Sequence, residues 1–433
     1  MDHDAALIAG GLRRAGARRG DVVSWQLPNS PAVASLYRAC WRIGAVAAPV
    51  HHAFGNADTD IALKTVDPAL VVDLSDVARW RAENDPAAPA DDTTPDDLAV
   101  ILFTSGSSGA PKAVQHTRGA LDYKARTMVA VHGLTDADVV LMPAPCAHVS
   151  GLLNGVLVPH VAGMDVVFMA KWDPDRALDL IERHRVSYMV GPPTFFVGLM
   201  QAATFSRERV ASMRLVSSGG AGVTPAFVDE ASDQLGCVVK RTYGSTEVPS
   251  VTTSYAGDPP ERARTTDGRV VGDAQIRLAA TTGELEVRGP EMFVGYVDPA
   301  QTRDAITDDG WFRTGDLATI DDGWLTITGR LKDVVIRGGE NIATAEVEAV
   351  LEAHPAVRHA VVVGEPDDRL GERVAAFVVG ALDLDECRRW FAERGVAKFK
   401  WPERVIAVDA LPVLTSGKPD RTALRARLAA HGS

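Results

Sequence analysis

The chain has 433 residues, of which 46% are hydrophobic and 24% are charged, and its formal net charge is −12 at pH 7. This composition is typical of a globular protein, and the length predicts two or three domains rather than a single core. The acidic balance and the scattered basic residues argue against a nucleic-acid surface, so an anionic ligand must be met by individually placed cations and N–H groups.

The amino terminus and the cysteines bear on where the protein acts. The start, 1–6, lacks the basic residues and apolar run of a secretory signal peptide. No apolar stretch approaches the roughly 20 residues that a bilayer span needs. The four cysteines, at positions 40, 146, 237 and 387, lie far apart without metal-ligand spacing. We therefore expect a cytoplasmic protein with neither a membrane span nor a zinc or disulfide framework.

Strand and helix patterns alternate over the first 240 residues. Residues 4–18 have apolar positions at helical spacing, a second helical stretch ends near Ile43, and 81–97 is a polar connection. The apolar runs between such stretches predict buried strands at 22–25, 44–50, 98–103, 139–142, 164–169, 186–190, 215–217 and 237–240. Strands separated by helical segments favour an α/β architecture with parallel sheets.

A loop of small hydroxyl and glycine residues, Thr104–Lys112, directly follows the strand predicted at 98–103. Glycine lets the backbone approach a ligand closely, and successive N–H groups form a concavity that suits anions. The hydroxyls and the Lys112 ammonium add further donors. A flexible Gly/Ser turn is the alternative, but the position after a strand and the closing Pro-Lys favour a phosphate loop. Its spacing is not the G-x-x-x-x-G-K-[ST] of nucleoside triphosphatases.

The sequence pattern changes after about residue 265. Short alternating runs with glycine turns predict a small antiparallel or barrel-like subdomain. The sequence Asp-Asp-Gly-Trp occurs at 308–311 and again at 321–324. We interpret both as turns rather than as paired catalytic acids. The final hundred residues form a separate small unit, in which Thr344 is predicted as a helix N-cap.

Further polar motifs follow the phosphate loop in order. They are Ser218–Ala221, Tyr243–Glu247, Gly315-Asp316, Gly329–Asp333, Arg337–Asn341 and Thr415–Lys418. The first two come directly after predicted strands, at the carboxyl ends where α/β sheets bind ligands. Each string is weak alone, but these six, in order after the phosphate loop and together with it spanning residues 104–418, form a strong signal.

Together these motifs resemble those of the adenylate-forming, AMP-binding superfamily, and most closely its acyl-CoA synthetases, over nearly the whole chain. The resemblance implies an α/β fold with a large N-terminal domain of doubly wound sheets over 1–330, including a small β-barrel-like subdomain at about 265–329. A small mobile α+β C-terminal domain would occupy 331–433. The implied reaction joins a carboxylic acid to ATP, releases pyrophosphate, and passes the acyl group from acyl-AMP to coenzyme A.

The resemblance also implies the nucleotide site. Thr246 would donate to the α-phosphate and Glu247 would hold Mg²⁺, which favours oxygen ligands. Asp316 would accept from the ribose hydroxyls with support from Arg330, although a turn residue and a surface ion pair are the alternatives. The other implied ATP contacts are Thr104, Ser105, Gly106, Ser107, Ser108, Gly109 and Lys112 for the outer phosphates, and Gly219, Gly220, Ala221, Tyr243, Gly244 and Ser245 for adenine and its surroundings. Tyr243 would stack its ring, unless it is a core residue.

The small C-terminal domain would alternate between two poses. In one pose Lys418 would reach the carboxylate of the acid and the α-phosphate. The alternative is that Lys418 is an ordinary exposed lysine without a catalytic role. The pivot would be Lys332, which could also be a plain linker lysine. The other pose would present the coenzyme A face, which the resemblance places at Arg337, Gly338, Gly339 and Glu340.

His148 would lie between the acyl pocket and the approach of the thiol, and we count it among the catalytic residues. A Cys146–His148 nucleophile pair is rejected because no third, orienting group is evident. The acyl pocket would comprise His148, Ser150, Gly151, Asn154, Val190, Gly191, Pro192, Tyr243 and Gly244. Because no fixed cation stands among them, we expect a fatty, aryl or alicyclic monocarboxylic acid rather than a dicarboxylate.

Two other functions stay open from the sequence. A stand-alone adenylation enzyme that loads a carrier protein would share the first half-reaction, and a non-catalytic nucleotide-binding homologue would share the fold. The expected partners are the acid, ATP and coenzyme A, with no nucleic acid, and the protein is expected to be a monomer or a homodimer.

Overall fold

The computed structural model describes residues 2–90, 92–104, 111–220, 222–413 and 419–430. The chain divides into two compact units, one of residues 1–276 with 287–313 and the other of residues 277–286 with 314–433. Across the described ranges, no helix combines the length and the apolar character that crossing a membrane requires.

Helices and strands alternate along most of the chain. The helices are α1 (Asp2–Arg14), α2 (Pro31–Arg42), α3 (Asn56–Val66), α4 (Leu74–Glu83), α5 (Arg118–His132), α6 (Val149–Leu152), α7 (Val158–Ala162), α8 (Pro174–His184), α9 (Pro193–Gln201), α10 (Pro225–Leu235), α11 (Pro260–Thr265), α12 (Pro299–Ala305), α13 (Thr344–Glu352), α14 (Leu384–Glu393) and α15 (Arg421–Ala430). The strands are β1 (Val22–Trp25), β2 (Val46–Pro49), β3 (Leu70–Val72), β4 (Leu98–Thr104), β5 (Lys112–Thr117), β6 (Val139–Met142), β7 (Asp165–Phe168), β8 (Tyr188–Gly191), β9 (Leu215–Gly219), β10 (Val238–Tyr243), β11 (Thr252–Thr253), β12 (Arg269–Val270), β13 (Gln275–Leu278), β14 (Glu284–Arg288), β15 (Gly295–Tyr296), β16 (Phe312–Asp321), β17 (Trp324–Arg330), β18 (Val334–Arg337), β19 (Glu340–Ala343), β20 (Val357–Asp367), β21 (Gly371–Gly380) and β22 (Arg404–Ala407).

The first sheet of the first unit has the strand order β15-β5-β4-β2-β1-β3. Strands β1 to β4 pair in parallel, whereas β5 is antiparallel to both β4 and β15. Alternate residues of a strand face opposite sides of the sheet. In β4, Val100 and Leu102 belong to the core formed with α1 and α2, whereas Ile101 and Phe103 belong to the core formed with α3. Helices therefore cover both faces of this sheet.

The second sheet of this unit runs β12-β11-β10-β9-β8-β6-β7, and its strands β6 to β10 pair in parallel. Met189 and Val216 belong to the core under α8, α9 and α10. Their neighbours Tyr188 and Leu215 belong to the core under α5 and α7. This doubly wound arrangement confirms the α/β class predicted from the sequence.

The second unit contains two groups of strands. Strands β13, β14, β16 and β17 are hydrogen-bonded in that order, and β16 and β17 join through the predicted turn at Asp321–Gly323. The other group has the order β19-β18-β21-β20, with β22 on β21. Helices α13 and α14 cover one face of this group, and α15 covers the other.

Two local features differ from the sequence-based picture. The predicted capping role of Thr344 is wrong, because α13 begins at Thr344 and Ala343 occupies the N-cap without a side-chain cap. Thr344 is itself buried inside the first turn. The second feature is β5, which the sequence did not indicate: Lys112 begins an antiparallel strand and stands opposite Thr104.

A buried ion pair lies beside the polar segment that follows β10. Lys124 of α5 places its Nζ 3.0 Å from Oε1 of Glu291, and both side chains are almost completely buried. The ammonium also donates to the carbonyl oxygen of Ser250 at 3.1 Å. Burial lowers the pKa of Lys124, and the carboxylate of Glu291 opposes that shift. The pair therefore fixes Ser250, whose φ of 48° is in the left-handed region.

Removing one charge of this pair should destabilise the first unit. We expect Glu291→Gln to lower its free energy of unfolding by about 3 kcal/mol, because the Lys124 ammonium stays buried without its carboxylate. The double variant Lys124→Met/Glu291→Leu should recover most of that loss. Urea unfolding followed by tryptophan fluorescence measures both. Glu261→Gln, which removes an exposed ion pair with Arg264, is the control and should leave the midpoint unchanged. Equal losses in the single and double variants would contradict the assignment.

Candidate functional site

The ends of the predicted phosphate loop are placed by the β4–β5 pair. Thr104 ends β4 and Lys112 begins β5, and the two residues are register partners. The intervening loop residues, and with them two other predicted contacts, lie outside the described residues: Ser105, Gly106, Ser107, Ser108, Gly109, Ala221 and Lys418. Their predicted roles stay predictions.

Tyr296 connects the loop end to the segment after β10. Its hydroxyl donates to Oε1 of Glu247 at 2.7 Å, and the Nζ of Lys112 lies 4.8 Å from the centre of its ring. Tyr296 itself is 5% exposed. The structure thus brings together Lys112 and Glu247, which are 135 positions apart in sequence. Sequence reasoning missed Tyr296, and its only signal was a glycine-aromatic pair in the short-strand region.

The backbone of the residues after β10 is held by contacts from two other parts of the first unit. His116 of β5 has its Nε2 2.7 Å from the carbonyl oxygen of Thr246. Because a carbonyl oxygen only accepts, Nε2 carries the proton. Burial lowers the pKa of His116 to about 4, so the imidazole is neutral at pH 7. The N–H of Phe293 donates to the carbonyl oxygen of Glu247 at 2.8 Å. Thr246 and Glu247 are therefore fixed through their backbone, with half-buried side chains.

Two predicted adenine-side glycines have no room for a side chain. A Cβ on Gly219 would lie 2.2 Å from the carbonyl oxygen of Thr242 on the neighbouring strand. A Cβ on Gly244 would lie 2.2 Å from the backbone nitrogen of Ser250. Gly220 has a φ of 76°, which glycine adopts without strain. These positions expose bare backbone at the carboxyl ends of β9 and β10.

The other two predicted residues of this segment have local roles as well. The Oγ of Ser245 accepts from the N–H of Val248 at 3.3 Å, and the N–H of Ser245 donates to the Val248 carbonyl. Ser245 therefore closes the turn that carries Thr246 and Glu247. Tyr243 is the last residue of β10 and is half-buried, so its ring is neither a pure core group nor fully exposed.

The oxygen atoms of the Glu247 carboxylate are suited to bind a hard divalent cation. Its Oε1 accepts from a neutral phenol, and among the described residues Glu247 forms no ion pair that would cancel its charge. Carboxylate and hydroxyl oxygens are the ligands that Mg²⁺ prefers. Glu247 could therefore hold Mg²⁺ as the sequence predicted.

His148 belongs to a group of aromatic side chains. It is the extended residue before α6, and its ring centre is 4.9 Å from that of His51, which follows β2. His51 also stacks on His52 at 4.8 Å. The Nδ1 of His51 accepts from the N–H of Ala53, so its Nε2 carries the proton. Burial, helped by His148 and His52, lowers the pKa of His51 to about 4. Sequence reasoning missed His51.

Six of the nine residues predicted for the acyl pocket lie on α6, on the π-helical turn that follows it, or at the end of β8 and directly after it. Ser150, Gly151 and Asn154 lie on α6 and the π-helical turn that continues it, a distortion often found at functional sites. Val190 and Gly191 end β8, and Pro192 follows.

Some of these residues also have structural roles. Asn154 is buried, accepts from the hydroxyl of Tyr188 at 3.1 Å and donates to the carbonyl of Ser150 at 3.0 Å. A Cβ on Gly151 would lie 2.1 Å from the carbonyl oxygen of Pro145. Burial raises the pKa of the Cys146 thiol to about 12, which agrees with rejecting it as a nucleophile.

Within the second unit, Asp316 and Arg330 are cross-strand partners on β16 and β17. The Nε of Arg330 lies 2.7 Å from Oδ1 of the buried Asp316, and the Arg330 side chain is 44% exposed. Arg330 thus forms an ion pair, as the alternative interpretation expected, and its role at the ribose stays a prediction. Lys332, the predicted pivot, is exposed in a 3₁₀ turn, Leu331–Asp333.

The predicted coenzyme A residues form the turn of the β18–β19 hairpin. Arg337 stands opposite Glu340, and Gly338 and Gly339 have φ values of 60° and 92°. Two consecutive positive φ values are typical of a two-residue hairpin turn. The guanidinium of Arg337 is engaged by Glu403, with Nε 2.6 Å from Oε1.

The chain is similar to known proteins along nearly its whole length. The family model described as "AMP-binding enzyme" matches residues 1–297, and that described as "AMP-binding enzyme C-terminal domain" matches residues 346–418. The chain is 34% identical to the medium-chain fatty-acid–CoA ligase of Escherichia coli, covering 98% of this chain and 84% of that protein. It is 32% identical to a feruloyl-CoA synthase of Amycolatopsis, covering 96% and 91%. Among solved structures, ATP-bound MatB from Rhodopseudomonas palustris superposes with a TM-score of 0.89 at 31% identity, covering 98% and 92%.

The buried His51 should make stability depend on pH. An unfolded histidine takes up a proton near pH 6.5, whereas folded His51 resists protonation down to about pH 4. Its stabilising contribution is thus complete above pH 6.5 and falls as the pH drops, by about 1.5 kcal/mol between pH 6.5 and 5. We expect His51→Asn to reduce the pH dependence of the unfolding free energy by that amount. His3→Asn, at an exposed position, is the control. An unchanged slope in His51→Asn would contradict this result.

Proposed function

This chain belongs to the AMP-binding enzyme family, and we propose that it is an acyl-CoA ligase for a fatty, aryl or alicyclic monocarboxylic acid. The ligase chemistry follows from the family and from relatives of nearly full length. A carboxylic acid and ATP give acyl-AMP and pyrophosphate, and the acyl group then passes to the thiol of coenzyme A with release of AMP.

The residue roles in the first half-reaction are proposals. The acid's carboxylate oxygen attacks the α-phosphorus, and pyrophosphate leaves toward Lys112. Thr246 donates to an oxygen of the α-phosphate, and Asp316 accepts from the ribose. Glu247 would hold Mg²⁺, which when bound draws off charge from the phosphate oxygens. The observation that supports these roles most directly is the junction of Lys112 and Glu247 at Tyr296.

The acid is proposed from the character of the predicted pocket. Its residues on α6, the π-helical turn and β8 are small, apolar or neutral. The amide of Asn154 already bonds to the hydroxyl of Tyr188 and to the carbonyl oxygen of Ser150. A second carboxylate would need a cation there. Relatives are named for medium-chain fatty acids, feruloyl and indoleacetate groups, and a ring-containing propanoyl group.

The compartment, the oligomeric state and the domain limits are proposed from the sequence. We place the enzyme in the cytoplasm, acting on small molecules as a monomer or a homodimer. The domain limits proposed from the sequence, 1–330 and 331–433 with a pivot at Lys332, would let the smaller domain serve both half-reactions.

The ligase assignment is tested by ATP–pyrophosphate exchange with acids graded by chain length and ring size. We expect exchange with at least one monocarboxylic class and none with malonate or succinate. Coenzyme A and a phosphopantetheinylated carrier protein are then offered as acceptors, and thioester should form on coenzyme A. Exchange with transfer only to the carrier would favour the carrier-loading alternative. A complete lack of exchange would favour a non-catalytic nucleotide-binding protein.

Lys418 should matter for only one half-reaction. We expect Lys418→Ala to slow pyrophosphate exchange by about 10²–10³, because an ammonium no longer meets the charge that develops at the α-phosphate. Thioester formation from supplied acyl-AMP should stay nearly unchanged. Lys398→Ala, an exposed lysine of the same unit, is the matched control. Equal loss in both half-reactions would overturn this role.

A further inference from the structure

The contacts of Tyr296 join two groups of opposite charge without letting them neutralise each other. Its hydroxyl holds one oxygen of the Glu247 carboxylate at 2.7 Å. Its ring face meets the Lys112 ammonium, with Nζ 4.8 Å from the ring centre. Among the described residues Lys112 and Glu247 form no ion pair with each other. A direct pair would occupy both the carboxylate and the ammonium, whereas the phenol leaves one oxygen and most N–H donors available.

The position of the Tyr296 ring is fixed from several sides. Strand β15 pairs antiparallel with β5, which sets Tyr296 opposite Val114. The backbone N–H of Tyr296 donates to Oγ1 of Thr302 at 2.8 Å. Phe293 packs edge-on against the ring, with centres 5.0 Å apart. Since Tyr296 is 5% exposed, its hydroxyl has little freedom to choose another partner.

Glu247 is held from the same segment at two points. Its carbonyl oxygen accepts from the N–H of Phe293, and its carboxylate accepts from Tyr296 three residues later. The backbone contact fixes where the residue lies, and the phenol fixes which way the carboxylate turns. A side chain bound through one oxygen by a neutral donor keeps full negative charge for a cation on the other oxygen.

We propose that Tyr296 is a positioning residue for Mg²⁺–ATP: its hydroxyl orients Glu247 for the metal, and its ring keeps the Lys112 ammonium separate for the phosphates. This inference rests on the proposed roles of Glu247 and Lys112. Tyr296 touches neither the metal nor the nucleotide in this assignment and acts through its two neighbours.

The two parts of Tyr296 predict separable effects on ATP binding, measured by calorimetry with and without Mg²⁺. In Tyr296→Phe the ring stays and the hydroxyl is lost, so ATP affinity in Mg²⁺ should fall about tenfold, a typical effect for a residue that orients a metal ligand. Affinity in EDTA should stay within about twofold of the wild type. In Tyr296→Leu the aromatic ring that contacts the Lys112 ammonium is lost as well, so the affinity for ATP should fall both in Mg²⁺ and in EDTA. Titration of Mn²⁺ by electron paramagnetic resonance, in the presence of ATP, should show the same tenfold loss for Tyr296→Phe.

Tyr123→Phe provides a matched control. The hydroxyl of Tyr123 also donates to a carboxylate, Oδ2 of Asp273, at 2.9 Å in the same unit. Its loss should leave the Mg²⁺ dependence of ATP binding unchanged. In a Glu247→Gln background, Tyr296→Phe should have no further effect on metal binding, because the carboxylate that it orients is gone.

Three results would overturn the inference. They are wild-type metal dependence in a folded Tyr296→Phe protein, an equal loss of affinity with and without Mg²⁺ in that variant, and a full additional loss in the Glu247→Gln background. Thermal unfolding checks that each variant is folded, and Tyr296→Phe decides the hydroxyl's part if Tyr296→Leu does not fold. A wild type that neither binds ATP nor exchanges pyrophosphate would refute the proposed function instead. An active wild type with an unaltered Tyr296→Phe variant would refute this inference alone.

Discussion

The candidate site depends on how the polar segment after β10 is held. Residues 244–250 lie in no helix or strand, and within this segment Ser245 and Val248 are hydrogen-bonded to each other. The other hydrogen bonds come from residues outside the segment. His116 bonds to Thr246, Phe293 and Tyr296 bond to Glu247, and Lys124 bonds to Ser250. The loop that carries the proposed ligand groups Thr246 and Glu247 is thus held by buried neighbours that accept or donate hydrogen bonds at defined atoms. These contacts reduce the conformational entropy that ligand binding would otherwise have to remove.

The antiparallel strand β5 explains why those neighbours are available. A phosphate loop that enters a helix offers the helix N-terminus to the ligand. Here the loop returns as a strand, so Lys112 stands on a sheet edge opposite Thr104, and His116 four residues later reaches Thr246. The same strand pairs with β15 and brings Tyr296 beside Lys112. One strand therefore supplies the cation and supports the segment that carries the carboxylate.

The sequence predicted the elements and motifs whose signals are local. Buried strands were visible as short apolar runs, and the roles of Thr246 and Glu247 were predicted from the resemblance of their motif, which follows the strand that is β10 in the structure. Tyr296, His51 and the Lys124–Glu291 pair were missed because each gains its role from a partner about 50 to 170 residues away. The requirement for glycine at Gly219 and Gly244 was also not visible in the sequence, since it comes from close approach of the backbone of Thr242 and Ser250 in the fold. Thr344 shows the opposite failure: a suitable capping residue was displaced because the helix begins one position earlier than its side chain suggested.

The two units hold their candidate ligand groups by different kinds of contact. In the first unit Glu247 and Thr246 are fixed by hydrogen bonds from neutral, buried donors, which are costly to break and leave the charge of Glu247 intact. In the second unit Asp316 is paired with the half-exposed Arg330, and Arg337 with Glu403. Water and salt screen an ion pair where it is exposed, as at the Arg330 guanidinium, whereas Asp316 and both side chains of the Arg337–Glu403 pair are mostly buried. In the second unit the candidate groups Asp316 and Arg337 therefore already have a partner of opposite charge. A ligand at either group would have to share or displace that partner, which the neutral donors around Thr246 and Glu247 do not require.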